Sequence, residues 1–520
     1  MKLPREMLNF SLQHIVTNGD TDIFPYPFEL KFYEQSSEKI LDALSNLDLN
    51  NYSPMSLIES LIPKTKYGFR VAHQPYPSDT IIYTALVCSI FDDVESARDP
   101  SQMNRAFSYR KEPGIHGDLF ISGHGFRQWL SNFTPMMFDG QYTHAIRTDI
   151  SDFYMRIYRH RLENIIDSMS GNTPIVKKIE KLLGMWRGGQ SFGIPVGSDA
   201  SRLLAEAALH DTDMALISEG YWHSRYVDDM IILVKEGQSP YAALAFLAKH
   251  LTENEGLSLN NQKTTVFPWG EFLASMSPPD GEEVEKDEWA TERLFWAAYG
   301  NDELDQEALD ALMTKDLVKE LETVLEEKYW DMGAIRIILH AMRLVGSEDV
   351  SQYIRSNISN LIPFAKDVCL LIEHFVLNGT KGFEDMSAEL TDLILSDSMR
   401  PIDCGRAWFL ELGVRGIVEF TMTDVRKLDA LTGTLDIRQL HLIRWRLNDV
   451  NYFRSRKSRV NEIQQWAQPS FIFGARCLPR DEYGHWLRSL RSRLQFPLAK
   501  EFADWCLENY GEDPLKATAS

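Results

Sequence analysis

The pattern of hydrophobic and polar residues changes partway along the chain. Residues 222–227 are rich in β-forming side chains and residues 230–234 are almost wholly apolar, which predicts a β-hairpin. Beyond residue 288, apolar residues recur at i, i+3 and i+4, which predicts one helix after another, over residues 288–299, 317–329, 334–345, 362–377, 404–412 and 437–447. An acidic stretch with two prolines, residues 278–285, separates the two patterns. The sequence therefore predicts an α+β domain over residues 1–275 and an all-α domain over residues 276–520.

Two adjacent carboxylates, Asp228 and Asp229, lie at the tip of the predicted hairpin. Like charges a few ångströms apart repel each other, so a buried strand seldom ends in two unpaired acids. A bound cation removes the conflict, and ligands that are all oxygen suit Mg²⁺ or Mn²⁺. The alternative is an Asp-Asp turn on a solvated surface.

Two other stretches change the picture of the first half. A strand that ends at residue 149 brings a third acid, Asp149, to its junction with a helix beginning near Asp152 and continuing to about residue 166. A Gly-Pro loop over residues 193–198 precedes a helix that is expected to run unbroken to Leu216, with a serine as its cap. These patterns predict a third acidic position and a sharp loop that can approach a ligand.

The stretch Tyr-Val-Asp-Asp at residues 226–229 resembles motif C of reverse transcriptases. The segments around Asp149, Gly197 and Lys263 resemble motifs A, B and D, and all four occur in the family's order. The resemblance implies a right-handed polymerase fold with fingers and a ferredoxin-like palm. Residues 267–273 are then expected to form the primer-grip hairpin.

The resemblance also implies an activity and its cofactors. Asp149, Asp228 and the backbone carbonyl of Ile150 would hold two Mg²⁺ ions, or Mn²⁺, for phosphoryl transfer, with Asp229 supporting the site. Tyr154 would be the steric gate that excludes a ribose 2′-OH, so the expected substrates are dNTPs. The alternative for this tyrosine is a helix-core aromatic residue.

Several other residues of the first half of the chain are candidates for contacting the nucleotide. In the family, the loop at Gly197 packs under the template–primer and the incoming base, and Lys263 would face the triphosphate, although a surface lysine is the alternative. Val196 departs from the family, because many reverse transcriptases have Gln at this position. Three cations within seven positions are further candidates for the triphosphate, with a solvated basic strand as the alternative: Lys64, Lys66 and Arg70.

The helical half has one candidate for binding a single-stranded product. Its cations are interleaved with aromatic residues, and both groups suit single-stranded nucleic acid. The candidates are Arg444, Arg446, Arg454, Arg456 and Lys457. The alternative is an Arg-rich face that pairs with acidic helices of the same or a neighbouring chain. Stacked helical pairs of the HEAT type fit the spacing, although no fixed period is visible.

The motifs and the helical half together resemble the abortive-infection (Abi) reverse transcriptases of bacterial phage defence, of the prophage-borne and AbiK types. That resemblance implies homo-oligomers that make DNA without a template, primed by a protein tyrosine, so that the single-stranded product stays covalently attached. The sequence does not assign the priming residue; Tyr26, near the N-terminus, is the candidate. The alternatives are a templated reverse transcriptase of the retron or group II intron type and a non-enzymatic helical scaffold.

The amino-acid composition and net charge exclude few of these candidate functions. The 520 residues are 44% hydrophobic and 25% charged, which is ordinary for a globular protein. A net charge of −21 argues against a general nucleic-acid coat protein but allows a polymerase with a local basic channel. The five cysteines are scattered without zinc-site spacing, and we expect them to be reduced. With neither a secretory signal nor a membrane-length apolar run, we expect a cytoplasmic protein.

Overall fold

The computed structural model describes residues 1–114, 118–133, 140–276 and 316–517. Within these ranges six strands form two sheets. The strands are β1 (Ile58–Pro63), β2 (Phe69–Gln74), β3 (Tyr142–Asp149), β4 (Trp222–Tyr226), β5 (Asp229–Lys235) and β6 (Thr265–Pro268). The α-helices up to residue 276 are Arg5–Asn18, Leu30–Gln35, Ser37–Ser45, Pro77–Ala97, Phe126–Ser131, Phe153–Arg156, Arg159–Ser170, Thr173–Trp186, Asp199–Ala208, His210–Ser218, Pro240–His250 and Trp269–Met276. Those from residue 316 onward are Leu317–Glu326, Met332–Val345, Glu348–Asn357, Ala365–Leu377, Ser387–Leu395, Asp403–Val414, Met422–Leu428, Thr434–Arg446, Val450–Arg456, Gln468–Gly474, Arg480–Leu490 and Ala499–Glu508.

The chain divides into two compact units, each built from separate segments. The first unit contains Met1–Ile15, Leu47–Ser56 and the described part of Asp79–Asp302. The second contains Val16–Asn46, Leu57–Ser78 and the described part of Glu303–Ser520. Two N-terminal segments therefore group with the C-terminal helices. The division at residue 276 stays a prediction, because residues 277–315 lie outside the described ranges.

A four-stranded antiparallel sheet forms the centre of the first unit, with the strand order β4-β5-β3-β6. The predicted hairpin is confirmed as β4 and β5. On one face of the sheet, Ala145, Ile231 and Leu233 pack against buried aromatic residues, including Trp129 and Phe133. This apolar layer constrains the register of β3 and β5, because a slip by one residue would move these side chains to the opposite face of the sheet.

Three predicted elements of the first unit need correction. The helix expected from Asp152 to residue 166 is interrupted, because the Ile157 carbonyl accepts a hydrogen bond from Gly193 N (2.9 Å) and Arg159 N donates to Ser191 O (3.0 Å). The helix expected to reach Leu216 breaks near Leu209 into two helices.

The hairpin expected over residues 267–273 is also wrong. The chain leaves β6 at Pro268 and continues as the helix Trp269–Met276. A proline cannot donate to a strand ladder, and the rings of Trp269 and Phe272 pack together on the sheet, so a helix buries more apolar surface here.

Among its described residues, the second unit has helices and a single β-hairpin, β1–β2. The predicted helices near residues 317–329, 334–345, 362–377, 404–412 and 437–447 are confirmed with small shifts of their ends, and the one at 288–299 lies outside the described residues. Strand β1 packs on the helix Asp403–Val414, where Cys404 N donates to Ser60 Oγ (2.9 Å). Helical repeats of the HEAT type stay a prediction. In the portions of the chain described above, no helix is both long enough and apolar enough to cross a membrane.

Candidate active site

Strand pairing brings the predicted acids together at one end of the sheet. Asp149, the last residue of β3, lies directly opposite Asp229, the first residue of β5. Asp228 lies in the turn between β4 and β5, and its carbonyl accepts a hydrogen bond from Ile150 N (3.3 Å). Asp149 is buried, whereas Asp228 and Asp229 are partly exposed. Three carboxylates separated by up to 80 residues thus share one rigid edge.

Two side chains from the loop before β6 contact the carboxylate of Asp149. Lys263 Nζ lies 3.1 Å from Asp149 Oδ2, and Asn260 Nδ2 donates to the same oxygen at 3.1 Å. The backbone reinforces this arrangement, because Asn260 N donates to Asp149 O (2.7 Å). Lys263 thus lies beside the acids together with Asn260, and its predicted role at the triphosphate stays a prediction.

The electrostatics of the site follow from crowded negative charge. Burial, together with the carboxylates of Asp149 and Asp229, raises the pKa of Asp228 to about 8. Partial burial disfavours the charge of Lys263, but the attraction of Asp149 and then Asp229 outweighs it and raises the pKa of the ammonium. The ammonium therefore remains charged at neutral pH and neutralises part of the acidic cluster.

Arg225, in strand β4, supports the turn from beneath. It is fully buried, and its guanidinium donates to Asp213 (Nε to Oδ1, 2.8 Å) and to Glu206 (Nη1 to Oε2, 2.7 Å). Burial alone would raise the pKa of Asp213, but Arg225, with His223, lowers it below its usual range. The pairing keeps charged groups compensated inside the first unit.

The remaining predicted residues of the palm lie close to these acids or in the loop before the next helix. Tyr154 is partly buried, and burial, followed by the effect of nearby Tyr109, raises the pKa of its hydroxyl well above the usual value. Asp228 also contributes to that shift, which places Tyr154 within electrostatic range of the acids. Gly197 has φ +117°, a backbone conformation that residues with a side chain rarely adopt. Ser198 caps the helix Asp199–Ala208, as predicted.

The three cations proposed for the triphosphate lie on the β1–β2 hairpin, in the second unit rather than in the unit of the aspartates. They are Lys64, Lys66 and Arg70. Lys66 Nζ lies over the ring of Trp330 (4.5 Å) and donates to Glu327 O (3.4 Å). Their role in nucleotide binding stays a prediction.

The predicted product-binding cations have acidic or aromatic partners within the second unit. Arg444 pairs with Asp429 and Asp449, and Arg446 pairs with Asp513. Arg454 and Lys457 share one carboxylate, Glu482, while Arg456 lies over the ring of Tyr452 (4.1 Å). This is the arrangement that the alternative interpretation described. Tyr26 is 55% exposed, and its hydroxyl donates to Asn18 O (3.1 Å).

Sequence reasoning missed Asn260 and the charged residues beneath the turn. A signal existed for Glu206 alone, because it interrupts the otherwise apolar run of residues 203–209. A buried charge requires a partner, so such an interruption indicates an ion pair in the interior. Asn260 gave no comparable signal in its polar loop.

Comparison with known proteins agrees with a polymerase-type site. The profile of the family "Reverse transcriptase (RNA-dependent DNA polymerase)" matches residues 104–287, so the chain contains a reverse transcriptase domain. Such a domain implies nucleotide substrates and nucleic acid, and reverse transcriptase domains generally use divalent metals such as Mg²⁺. The predicted reverse-transcriptase-like fold is thereby supported for this part of the chain.

Telomerases are among the solved structures with which this chain shares weak similarity. Telomerase from Candida albicans, in complex with a TWJ fragment of telomeric RNA, is 13% identical, with 78% of this chain and 69% of that chain covered and a TM-score of 0.32. Apo telomerase from Candida tropicalis is 11% identical, with 72% and 74% covered and a TM-score of 0.34. A search of curated protein sequences found no match.

Proposed function

We propose that this chain is a DNA polymerase of the reverse-transcriptase type that adds dNTPs at the carboxylate site of the first unit. The observation that carries the proposal is the placement of Asp149 opposite Asp229, with Asp228 in the adjoining turn. The reverse transcriptase domain spans all three residues. Acids on a rigid sheet edge suit chemistry that depends on positioning and charge neutralisation.

The chemistry of this donor set fits Mg²⁺. Asp149, Asp228 and the Ile150 carbonyl would hold the ions, supported by Asp229, and all of these donors are oxygen. The raised pKa of Asp228, about 8, marks a place where negative charge lacks full compensation. When bound, the ions neutralise charge on the attacking oxygen and on the departing pyrophosphate.

The carboxylates do not yet have the arrangement of a metal-binding site. Among the described residues, no group of three or more His, Cys, Asp or Glu side chains is arranged to hold a metal ion. One oxygen of Asp149 is already occupied by Lys263 and Asn260. We infer that the Lys263 ammonium leaves this carboxylate when substrate binds and contacts the triphosphate instead. There it can neutralise the leaving pyrophosphate by donating a proton.

Tyr154 and Gly197 define the proposed substrate preference. A tyrosine next to the acids would collide with a ribose 2′-OH, which favours dNTPs over rNTPs. Gly197 would let the backbone approach the incoming nucleotide closely, since no side chain intervenes.

We further propose an abortive-infection type of activity in phage defence, without a template and primed by a tyrosine, in a homo-oligomer. Val196 supports this, because losing the Gln of many reverse transcriptases matters least when no template is read. The helical second unit is compatible with the same family. A conventional RNA-templated enzyme and a non-enzymatic scaffold are the competing functions.

The test incubates purified protein with Mg²⁺ and labelled dNTPs without added nucleic acid. We expect label to remain with the protein on a denaturing gel and to be released by protease. Mass spectrometry would then identify the priming residue and test Tyr26. Extension only of an annealed primer on an RNA template would instead establish the conventional enzyme.

Two variants and a chelator serve as controls. Asp149→Asn and Asp228→Asn should each abolish incorporation while circular dichroism remains unchanged, and EDTA should abolish it in the wild type. Incorporation that survives both substitutions would refute the assignment of the site. No incorporation by wild type with or without template would favour a scaffold.

A further inference from the structure

The turn that carries Asp228 contains a backbone conformation that its sequence disfavours. Val227 has φ +56°, in the left-handed region, which β-branched residues rarely adopt. A non-glycine residue remains there only when surrounding contacts over-determine its conformation, and such residues cluster at functional sites. Val227 is buried and immediately precedes Asp228, so a change in its dihedral angles would move that carboxylate.

Side chains hold both polar groups of the Val227 backbone. Its N–H donates to Ser108 Oγ (2.7 Å), and its carbonyl accepts from Arg225 Nη1 (3.3 Å). The Ser108 hydroxyl in turn donates to Glu206 Oε1. Because a serine has only one hydroxyl proton, commitment of that proton to Glu206 leaves Oγ oriented to accept from Val227.

Glu206 contacts both side chains that hold the Val227 backbone, Ser108 and Arg225. Its second oxygen, Oε2, accepts from Arg225 Nη1 and from Arg98 Nη2, each at 2.7 Å. All of Ser108, Glu206 and Arg225 are fully buried, so water does not compete for these hydrogen bonds. A buried ion pair is weak evidence for stability, and an apolar cluster of similar volume often serves stability as well. A role in fixing geometry accounts for the burial of these charges.

We propose that Ser108, Glu206 and Arg225 form a clamp that holds Val227 in its left-handed conformation and thereby sets the position of Asp228 opposite Asp149. They are positioning residues, since they act on Asp228 through the Val227 backbone. The proposal rests on the proposed polymerase function and assigns to it a residue 120 positions upstream of Asp228 (228 − 108).

The first test is Ser108→Ala, which removes one link and leaves the Arg–Glu pairs intact. We expect kcat for dNTP addition to fall at least tenfold, with KM for dNTP changing less than twofold, because substrate contacts are preserved. Ser108→Thr, which keeps the hydroxyl, should recover most of kcat. Ser351→Ala, which removes a buried hydroxyl in the second unit, is the matched control and should leave kcat unchanged.

The second test removes the strain instead of the clamp. Glycine adopts φ +56° without penalty, so Val227→Gly in the Ser108→Ala background should restore kcat by at least threefold. A merely structural role of Ser108 predicts no such rescue. A kcat for Ser108→Ala within twofold of wild type, or an equal loss with valine and glycine at position 227, would overturn the clamp.

Failure of this inference is distinguishable from failure of the proposed function. If Asp228→Asn abolishes addition while Ser108→Ala has no effect, the polymerase assignment stands and the clamp is refuted. If Asp228→Asn retains activity, the polymerase site itself is wrong. Circular dichroism and melting temperature of each variant show whether a loss of kcat reflects unfolding.

Discussion

Replacing Arg225 by methionine tests whether the buried charges beneath the turn compensate each other as the distances indicate. Methionine fills much of the same volume without a charge, so the change isolates the guanidinium. Arg225 donates to Asp213 through Nε and Nη2, both at 2.8 Å, and to Glu206 and the Val227 carbonyl through Nη1. Its loss would leave two buried carboxylates with fewer partners.

The expected cost lies at the lower end of the range for breaking a buried ion pair. Removing one partner of such a pair costs about 3–5 kcal/mol. Glu206 would keep Arg98 (2.7 Å), and Asp213 would keep His223 (3.1 Å), so neither acid is left entirely alone. We therefore expect a loss of about 3 kcal/mol, which corresponds to roughly a 100-fold change in an opening equilibrium.

Arg444→Met is the matched control, because Arg444, like Arg225, is buried and paired with two carboxylates, those of Asp429 and Asp449. The difference lies in the partners, since the side chain of Asp429 is 49% exposed and can return to water. Asp449 is 10% exposed. Loss of this arginine should cost only about 1 kcal/mol, roughly a fivefold change.

Hydrogen exchange read by mass spectrometry measures both substitutions locally, without requiring the two units to unfold together. Exchange in peptides from residues 222–235 should accelerate about 100-fold in Arg225→Met, and exchange in peptides from 434–446 about fivefold in Arg444→Met. Asp213→Asn should recover part of the loss in the Arg225→Met background. Equal acceleration in the two peptides, or less than tenfold in the first, would refute the compensation argument.

Three further predictions concern the site itself. Because burial and its neighbours raise the pKa of Asp228 to about 8 from an ordinary 3.8, its contribution to stability is present at low pH and lost as pH rises through 8. Asp228→Asn should therefore raise the melting temperature of metal-free protein at pH 9 but not at pH 4, and Mg²⁺ should raise that of wild type only; a Mg²⁺ response that is the same in both proteins would contradict this. Lys263→Ala should lower single-turnover dNTP addition about 100-fold and Lys263→Arg less, whereas unchanged rates would make it a surface lysine. Tyr154→Ala should raise the kcat/KM for rNTP relative to dNTP at least tenfold, and an unchanged ratio would leave it a core aromatic residue.

Local patterns predicted the parts of the site that depend on neighbouring residues. Alternating and apolar runs were sufficient for β4 and β5, and the capping serine before Asp199 was identifiable from its position. The expectation that Asp149 and Asp228 share one metal site came from the resemblance to a family, because β3 and β5 are far apart in sequence and periodicity carries no information about partners.

Contacts between distant segments account for what the sequence did not reveal. Ser108 and Val227 are 119 residues apart, and Asn260 and Asp149 are 111 apart, so no local pattern marks either contact. The interruption at Ile157 has the same origin, since apolar spacing continues through it while its carbonyl is taken by Gly193 N. Tertiary hydrogen bonds therefore override helix periodicity at the point where the chain leaves the acidic edge.

The charge of the chain bears on how such a polymerase would keep its product. With a net charge of −21, affinity for a long nucleic acid requires a local surface of unpaired cations. In the predicted product surface, Arg444, Arg446, Arg454 and Lys457 already pair with carboxylates of the same unit, so binding a phosphate there would mean breaking an existing ion pair. A covalent link to the protein makes strong electrostatic binding of the product unnecessary. The ion pairing of this surface is therefore compatible with the proposed protein-primed synthesis, which stays a proposal.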